Sequence, residues 1–130
     1  MKPRTAPVVL VVEDNEAMRS LIRSLVEEVT SMVHECDSGE DALELYARLR
    51  PDCVLMDIRL GGMDGITATR SILRIDPGAR VIMVTENDGR RMRAEARAAG
   101  ARGFVLKANL LELPALIASC PAPDRGDEGS

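Results

Sequence analysis

The sequence is poor in aromatic residues, and its net charge is slightly negative. The 130 residues include one tyrosine, one phenylalanine and no tryptophan, so the chain lacks the aromatic platform on which single-stranded nucleic acids stack. Seventeen basic residues against 21 acidic residues leave a net charge of −4, which disfavours broad electrostatic binding to DNA or RNA. We therefore expect no direct nucleic-acid binding by this chain.

Cysteines and long apolar runs are also scarce. Cys36, Cys53 and Cys120 are widely spaced and form no CxxC pair, so neither a zinc site nor a disulfide framework is expected. Cys36 and Cys53 stand in short apolar runs that predict buried thiols. The longest apolar run near the N-terminus, residues 8–12, is too short for a signal-peptide core or a membrane span. These features predict a cytoplasmic protein in a reducing compartment, with no membrane association.

The length and composition indicate one globular domain. A chain of 130 residues holds a single hydrophobic core, and 45% hydrophobic with 29% charged residues is typical of globular proteins. Residues 121–130 are rich in proline, glycine and charge, which predicts a tail or linker stub. The predicted domain therefore covers residues 1–120.

Two hydrophobic periods alternate along the chain. Short β-branched apolar runs predict buried strands, and apolar residues at helical spacing predict the helices between them. Strands are expected near 8–12, 32–36, 53–56, 80–84 and 103–106, and helices near 14–29, 38–49, 66–75, 89–99 and 111–119. Pro114 leaves the start of the last helix open, because proline fits a first turn better than an interior. The alternation predicts an α/β fold, a flavodoxin-like doubly wound (βα)5 parallel sheet with strand order 2-1-3-4-5.

Polar residues follow four of these strands directly. They are Glu13 and Asp14 after the first, Asp57 after the third, Thr85 after the fourth and Lys107 after the fifth. Ligands of open parallel sheets bind beyond the carboxyl ends of the strands. Crowded carboxylates repel unless they protonate or hold a cation, and Mg²⁺ prefers oxygen ligands. The pattern indicates phosphoryl chemistry, with Asp57 as the candidate nucleophile.

Five ordered segments carry a family resemblance over residues 6–119. They are Val-Val-Glu-Asp-Asn at 11–15, Pro-Asp-Cys-Val-Leu-Met-Asp at 51–57, Met-Asp-Gly at 63–65, Val-Ile-Met-Val-Thr at 81–85 and Gly-Ala-Arg-Gly-Phe-Val-Leu-Lys at 100–107. Each is weak alone, but the ordered set resembles the receiver domain of bacterial two-component response regulators. Residues 64–70 look most like receivers of the helix-turn-helix-linked, nitrate-response or LuxR-like type. The chain is then either a stand-alone receiver or a receiver cut from a longer protein.

The resemblance implies a role for each matching position. Asp57 would accept a phosphoryl group from the phosphohistidine of a sensor histidine kinase or a histidine phosphotransfer protein. Mg²⁺ would be held by Glu13, Asp14, Asp57 and the backbone carbonyl of Arg59, and Lys107 would contact the phosphoryl group. Such a chain is not an enzyme on a separate substrate, since it catalyses only its own phosphorylation and dephosphorylation.

The resemblance also implies a switch. Thr85 would move onto the phosphoryl oxygen, and the Phe104 ring would rotate into the space that it leaves. The surface of the fourth helix, fifth strand and fifth helix would then report the change to a partner, and a homodimer is one possible outcome.

Three positions either depart from the family pattern or correspond to positions that affect the phosphoryl lifetime in this family. Glu86 stands after Thr85, where the family usually has a small residue. There it either repels a dianion, at roughly 4 kcal/mol for charges about 4 Å apart, or turns outward to solvent. Arg59 and Asn87 occupy positions that tune the phosphoryl lifetime in this family, and we hypothesise that Arg59 screens the attacking water.

Two other functions compete with a phosphorylated receiver. The first is a degenerate receiver that acts as a phosphorylation-independent interaction module, which Glu86 favours and the intact acidic residues and Lys107 disfavour. The second is a phosphotransferase or phosphatase on a small substrate. It is disfavoured because no inserted cap segment encloses a substrate and because Arg59, rather than an aspartate, stands two residues after Asp57.

Overall fold

Strands and helices alternate along the chain as the hydrophobic pattern predicts. The computed structural model describes residues 6–86 and 89–120. Its elements are β1 (Val8–Val12), α1 (Glu16–Val26), β2 (Met32–Cys36), α2 (Gly39–Leu49), β3 (Cys53–Met56), α3 (Gly65–Ile75), β4 (Val81–Thr85), α4 (Arg90–Ala98), β5 (Gly103–Leu106) and α5 (Leu113–Ala118), with short 3-10 segments at Glu27–Val29 and Lys107–Glu112.

The five strands form one parallel sheet in the order β2-β1-β3-β4-β5, which confirms the predicted topology. β1 pairs with β2 on one side and with β3 on the other. The winding therefore reverses between β1 and β3, where an open α/β sheet binds its ligands. Val12 lies opposite Met56 in this register, so the residues that follow them, Glu13 and Asp57, emerge side by side.

Helices cover both faces of the sheet. Alternate strand residues point to opposite faces, so Val9 and Leu55 pack with α1 and α5, whereas Leu10 and Met56 pack with α2, α3 and α4. The inner strands β1, β3 and β4 are buried on both faces. This explains why they read as continuous apolar runs rather than as alternating ones.

Side-chain caps fix the starts of the first three helices. Asn15, Ser38 and Asp64 each accept a hydrogen bond from the backbone N–H three residues later, which satisfies one of the unpaired donors of a first turn. α4 is followed at Gly100 by backbone with a φ of +109°, a conformation that glycine adopts without steric cost. These local signals set where each loop leaves the sheet.

Gly65 lets the loop after β3 fold tightly against the start of α3. Its N–H donates to the carbonyl of Ile58 at 2.8 Å. A Cβ atom at this position would lie 2.0 Å from the carbonyl oxygen of Asp57, much closer than van der Waals contact allows. The backbone that carries Asp57 therefore depends on the absence of a side chain at position 65.

The C-terminal helix differs from its prediction. Helical backbone was expected from about 111, but Lys107–Glu112 is a 3-10 segment with a non-helical residue at Asn109, and α5 begins at Leu113. Pro114 stands in the first turn of α5, where its missing N–H costs nothing. The periodicity alone could not place this start, because Leu110 and Leu111 of the 3-10 segment extend the apolar pattern ahead of α5.

The structure confirms some of the sequence predictions only in part, and others concern residues that it does not describe. The Cys53 thiol is buried as predicted, but Cys36 is only half-buried, because β2 is an edge strand. The predicted tail at 121–130 and Asn87 lie outside the described residues. No helix within the described part of the chain is long and apolar enough to cross a membrane.

Candidate functional site

The carboxyl ends of four strands bring the predicted polar residues together. Glu13 follows β1, Asp57 follows β3, Thr85 ends β4 and Lys107 follows β5. They line a cleft of about 250 Å³ whose other lining residues are Asp14, Asn15, Met18, Arg59 and Glu86. The parallel sheet therefore brings these polar groups together in one cleft, as the order of the residues predicts.

Asp57 lies at the bottom of the cleft, with 4% of its surface exposed. Its Oδ2 atom lies 3.3 Å from the Lys107 Nζ, and its Oδ1 accepts a hydrogen bond from the Arg59 backbone N–H at 3.3 Å. Burial raises the pKa of the Asp57 carboxyl, and the ammonium of Lys107 opposes this shift. The carboxylate is thus held in a fixed orientation beside one positive charge.

Glu13 is even more buried, at 1% exposure. Its Oε2 accepts a hydrogen bond from the Asn15 N–H at 3.1 Å, and its Oε1 lies 2.8 Å from the Lys107 Nζ. That contact is an ion pair between two buried or nearly buried groups, so Lys107 is the charged partner of Glu13. Burial raises the pKa of Glu13, against the effect of Lys107.

Lys107 connects the two buried carboxylates. Burial lowers the pKa of its ammonium, but the contacts with Glu13 and Asp57 outweigh burial and raise the pKa overall. Lys107 therefore stays charged at neutral pH, so the acidic site carries one built-in cation.

The acidic residues fit a hard divalent cation. Glu13, Asp14 and Asp57 each offer a carboxylate oxygen, and these oxygens all lie within 4.8 Å of one another. With Lys107 the group has a formal charge of −2, which one divalent ion would balance. A ligand set made only of oxygen atoms suits Mg²⁺, which also keeps several waters. Exposed Asp14 lies on the solvent side of the group, where a hydrated ion would enter.

Phe104 lies outside the cleft. It pairs with Met83 in the sheet, and it is half-buried against the core beneath α2, α3 and α4. The Arg93 guanidinium of α4 lies 4.5 Å from the centre of the Phe104 ring, a cation–π contact. Thr85, with 1% exposure, lies in the cleft. Thr85 is two residues after Met83 on β4, so the Thr85 and Phe104 side chains lie on the same face of the sheet.

The remaining predicted residues lie at the entrance of the cleft. Glu86 and Arg59 are exposed and line it, so the Glu86 carboxylate is within the field of the acidic group but open to solvent. Asn15 and Met18 also line the cleft and were missed as site residues. Their signal was available in the sequence, since Asn15 follows Asp14 and Met18 is one turn further along α1.

Comparison with known proteins places these features in a family. The family model for the response regulator receiver domain matches residues 9–118. The chain is 40% identical over 102 residues to a chemotaxis protein CheY of Halobacterium salinarum, covering 78% of this chain and 85% of that protein.

Solved structures agree with that match. A LuxR-family two-component response regulator from Aurantimonas sp. superposes with a TM-score of 0.79 at 32% identity, covering 95% of this chain and 94% of the other. The receiver domain of the Arabidopsis thaliana histidine kinase CKI1, solved with Mg²⁺, gives a TM-score of 0.77 at 31% identity, covering 85% of this chain and 89% of the other.

Proposed function

Because the chain belongs to the response regulator receiver domains of two-component signalling, we propose that Asp57 accepts a phosphoryl group in a Mg²⁺-dependent reaction. The donor is the phosphohistidine of a sensor histidine kinase or a histidine phosphotransfer protein. The observation that carries this proposal is the position of the Asp57 carboxylate, at the bottom of the cleft between Lys107 and the carboxylates of Glu13 and Asp14.

The reaction needs a nucleophile and positive charge around the transferred group. A carboxylate oxygen of Asp57 attacks phosphorus, the phosphorus–nitrogen bond of the donor breaks, and the donor imidazole leaves. Lys107 remains within reach of the Asp57 oxygen and stabilises the charge on the phosphoryl oxygens. The Arg59 N–H holds the carboxylate in orientation, and the Thr85 hydroxyl, which lines the same cleft, would donate to a phosphoryl oxygen.

Mg²⁺ would be held by Glu13, Asp14, Asp57 and the backbone carbonyl of Arg59, and it supplies positive charge to the transferring oxygens. The three carboxylate oxygens within 4.8 Å of one another and the formal charge of −2 support this assignment. So does the Mg²⁺ in the solved CKI1 receiver domain, which shares the fold. In this proposal the chain is a phosphoryl acceptor that turns over only its own phosphoryl group, rather than an enzyme on a separate substrate.

The output is a change of conformation transmitted to α4, β5 and α5. Phe104 lies between the sheet and Arg93 of α4, so a movement of Thr85 toward the cleft would alter the packing next to this ring. Such a change biases two pre-existing arrangements. The partner of the changed surface would be an effector or a second copy of the chain.

Intact-mass spectrometry with acetyl phosphate and Mg²⁺ tests the proposal. We expect a gain of one phosphoryl group, about 80 Da, that disappears with EDTA and in Asp57→Asn. Asp37→Asn is a matched control, because Asp37 follows the edge strand β2 and lies outside the cleft, and it should gain the group as the wild type does. Modification that persists in Asp57→Asn contradicts the assignment.

The phosphorylation-independent module remains the second candidate, because the exposed Glu86 carboxylate lines the cleft and would repel an incoming dianion. Glu86→Ala separates the two functions. If wild type gains no mass and Glu86→Ala does, the natural chain works without phosphorylation. Arg59→Ala addresses lifetime: we expect faster loss of the phosphoryl group, and an unchanged rate refutes the screening hypothesis.

A further inference from the structure

Two cysteines meet at the amino edge of the sheet, opposite the acidic cleft. Cys53 opens β3 and is fully buried, whereas Cys120 directly follows the last turn of α5 and is half-buried. Both pack into the core between the sheet and helices α1 and α5. Asp57 follows the other end of β3, about 13 Å away along the strand at roughly 3.3 Å per residue, so the cysteines are separate from the phosphoryl-accepting site.

Within this cluster the two thiols lie close enough to affect each other's ionisation, and the Arg80 side chain lies near Cys120. The hydrogen bond from Cys53 and the positive charge of Arg80 lower the pKa of Cys120 to about 6. The same thiol contact, together with burial, raises the pKa of Cys53. The exposed Cys120 is therefore the more readily ionised thiol of the pair.

We propose that Cys120 and Cys53 form an oxidisable dithiol site, in which Cys120 reacts with a peroxide and Cys53 resolves the product as an intramolecular disulfide. Three observations support the roles: only Cys120 is reachable from solvent, Cys53 lies against it, and Arg80 supplies the cation that reactive thiolates require. The spacing does not predict this pair, because 66 residues separate the two cysteines and only the folded core brings them together.

The chemistry balances with one equivalent of peroxide. The Cys120 thiolate attacks one peroxide oxygen, the oxygen–oxygen bond breaks, and hydroxide leaves, so that Cys120 becomes a sulfenic acid. The Cys53 sulfur then attacks the Cys120 sulfur, the sulfur–oxygen bond breaks, and the Cys53 proton leaves with the hydroxyl as water. The two sulfurs lose two electrons in total, and the peroxide gains them.

The disulfide would fasten the end of α5 to the start of β3. Cys36 provides an internal contrast. Its half-buried thiol donates to the Ser38 carbonyl at 3.7 Å, and burial raises its pKa to about 11, so it should stay reduced under the same conditions.

Peptide mapping after oxidation tests the site. The reduced chain is treated with hydrogen peroxide, alkylated, and digested with trypsin without reductant. Trypsin places Cys53, Cys120 and Cys36 on different peptides, spanning 49–59, 108–125 and 24–48. We expect a linked pair of the first two peptides and a loss of about 2 Da from the intact chain. Cys36→Ser should behave as wild type, and Cys120→Ser should show no link.

A second measurement keeps the proposal testable if a variant fails to fold. In the wild type at pH 7, iodoacetamide should alkylate Cys120 at least about tenfold faster than Cys36, since only the thiolate reacts. The proposal is overturned if Cys120 accumulates as sulfinic or sulfonic acid without a link. It is equally overturned if the disulfide joins two chains or involves Cys36, or if Cys120 is alkylated no faster than Cys36.

Discussion

Replacement of Gly65 by alanine tests how the backbone positions Asp57. The added Cβ would lie 2.0 Å from the Asp57 carbonyl oxygen and 2.9 Å from the Ile58 Cα. Both neighbours are backbone atoms at the end of β3, so no flexible side chain can give way. At least about 1 Å of movement is needed to reach even the shortest contacts that real Cβ atoms make.

The expected cost follows from this displacement. Overpacking a tight contact costs about 1–3 kcal/mol, and weakening the Gly65–Ile58 backbone hydrogen bond costs about 1 kcal/mol more. The free energy of unfolding should therefore fall by roughly 2–4 kcal/mol. For a domain of this size that lowers Tm by about 10 °C. Because the moved backbone carries Asp57, phosphoryl uptake from acetyl phosphate should fall as well.

Gly61 offers a matched control in the same loop, since no atom lies within 4 Å of a Cβ built at that position and its φ is not positive. Gly61→Ala should melt within a few degrees of wild type and accept a phosphoryl group normally. Differential scanning calorimetry of both variants decides the matter. If Gly65→Ala melts within about 2 °C of Gly61→Ala, the argument from close backbone approach is wrong.

Two further substitutions test contacts far from the cleft. The Tyr46 hydroxyl donates to Asp76 at 2.7 Å, and this bond lowers the pKa of Asp76, so Tyr46→Phe should lower the free energy of unfolding by about 1–2 kcal/mol at pH 7. A carboxyl group whose pKa is lowered by folding stabilises the fold at pH values above its ordinary pKa of 3.8, and this stabilisation is lost as the pH falls further. The free energies of unfolding of wild type and Tyr46→Phe, measured by urea titration, should therefore converge below about pH 4. A difference that stays constant with pH would contradict this. Arg93→Ala removes the stacking on Phe104 and should lower the free energy of unfolding by about 0.5–1 kcal/mol. The Arg91 side chain is 93% exposed, so Arg91→Ala should lower it by less than about 0.5 kcal/mol. Equal losses of stability in the two variants would show that the ring contact contributes nothing.

The fold was predictable because local and global signals agree. Buried strands on a doubly covered sheet must be apolar on both faces, and the run at Val8–Val12 shows this directly. Residues such as Asn15, Ser38 and Asp64 both break the apolar pattern and cap the helix that follows. The polar residues after the strands predicted the cleft, because a parallel sheet leaves them no other common edge.

What the sequence could not supply were contacts between distant elements. Cys53 and Cys120 pack into one core cluster from elements far apart in the sequence, and Arg93 of α4 lies over the Phe104 ring of β5. Neither is encoded by spacing. The sequence left the start of α5 open, because apolar residues continue through the 3-10 segment at Lys107–Glu112, and the expectation that Pro114 stands in a first turn is confirmed.

The ion pairs of Lys107 have a practical consequence. The sequence contains only two lysines, Lys2 and Lys107, and acylating reagents attack only an unprotonated amine. Lys107 is 12% exposed and held between Glu13 and Asp57, so it should label slowly, and any group that enters the cleft should change that rate. The ratio of acylation at Lys107 to acylation at Lys2, measured in one digest, therefore reports whether the cleft is occupied.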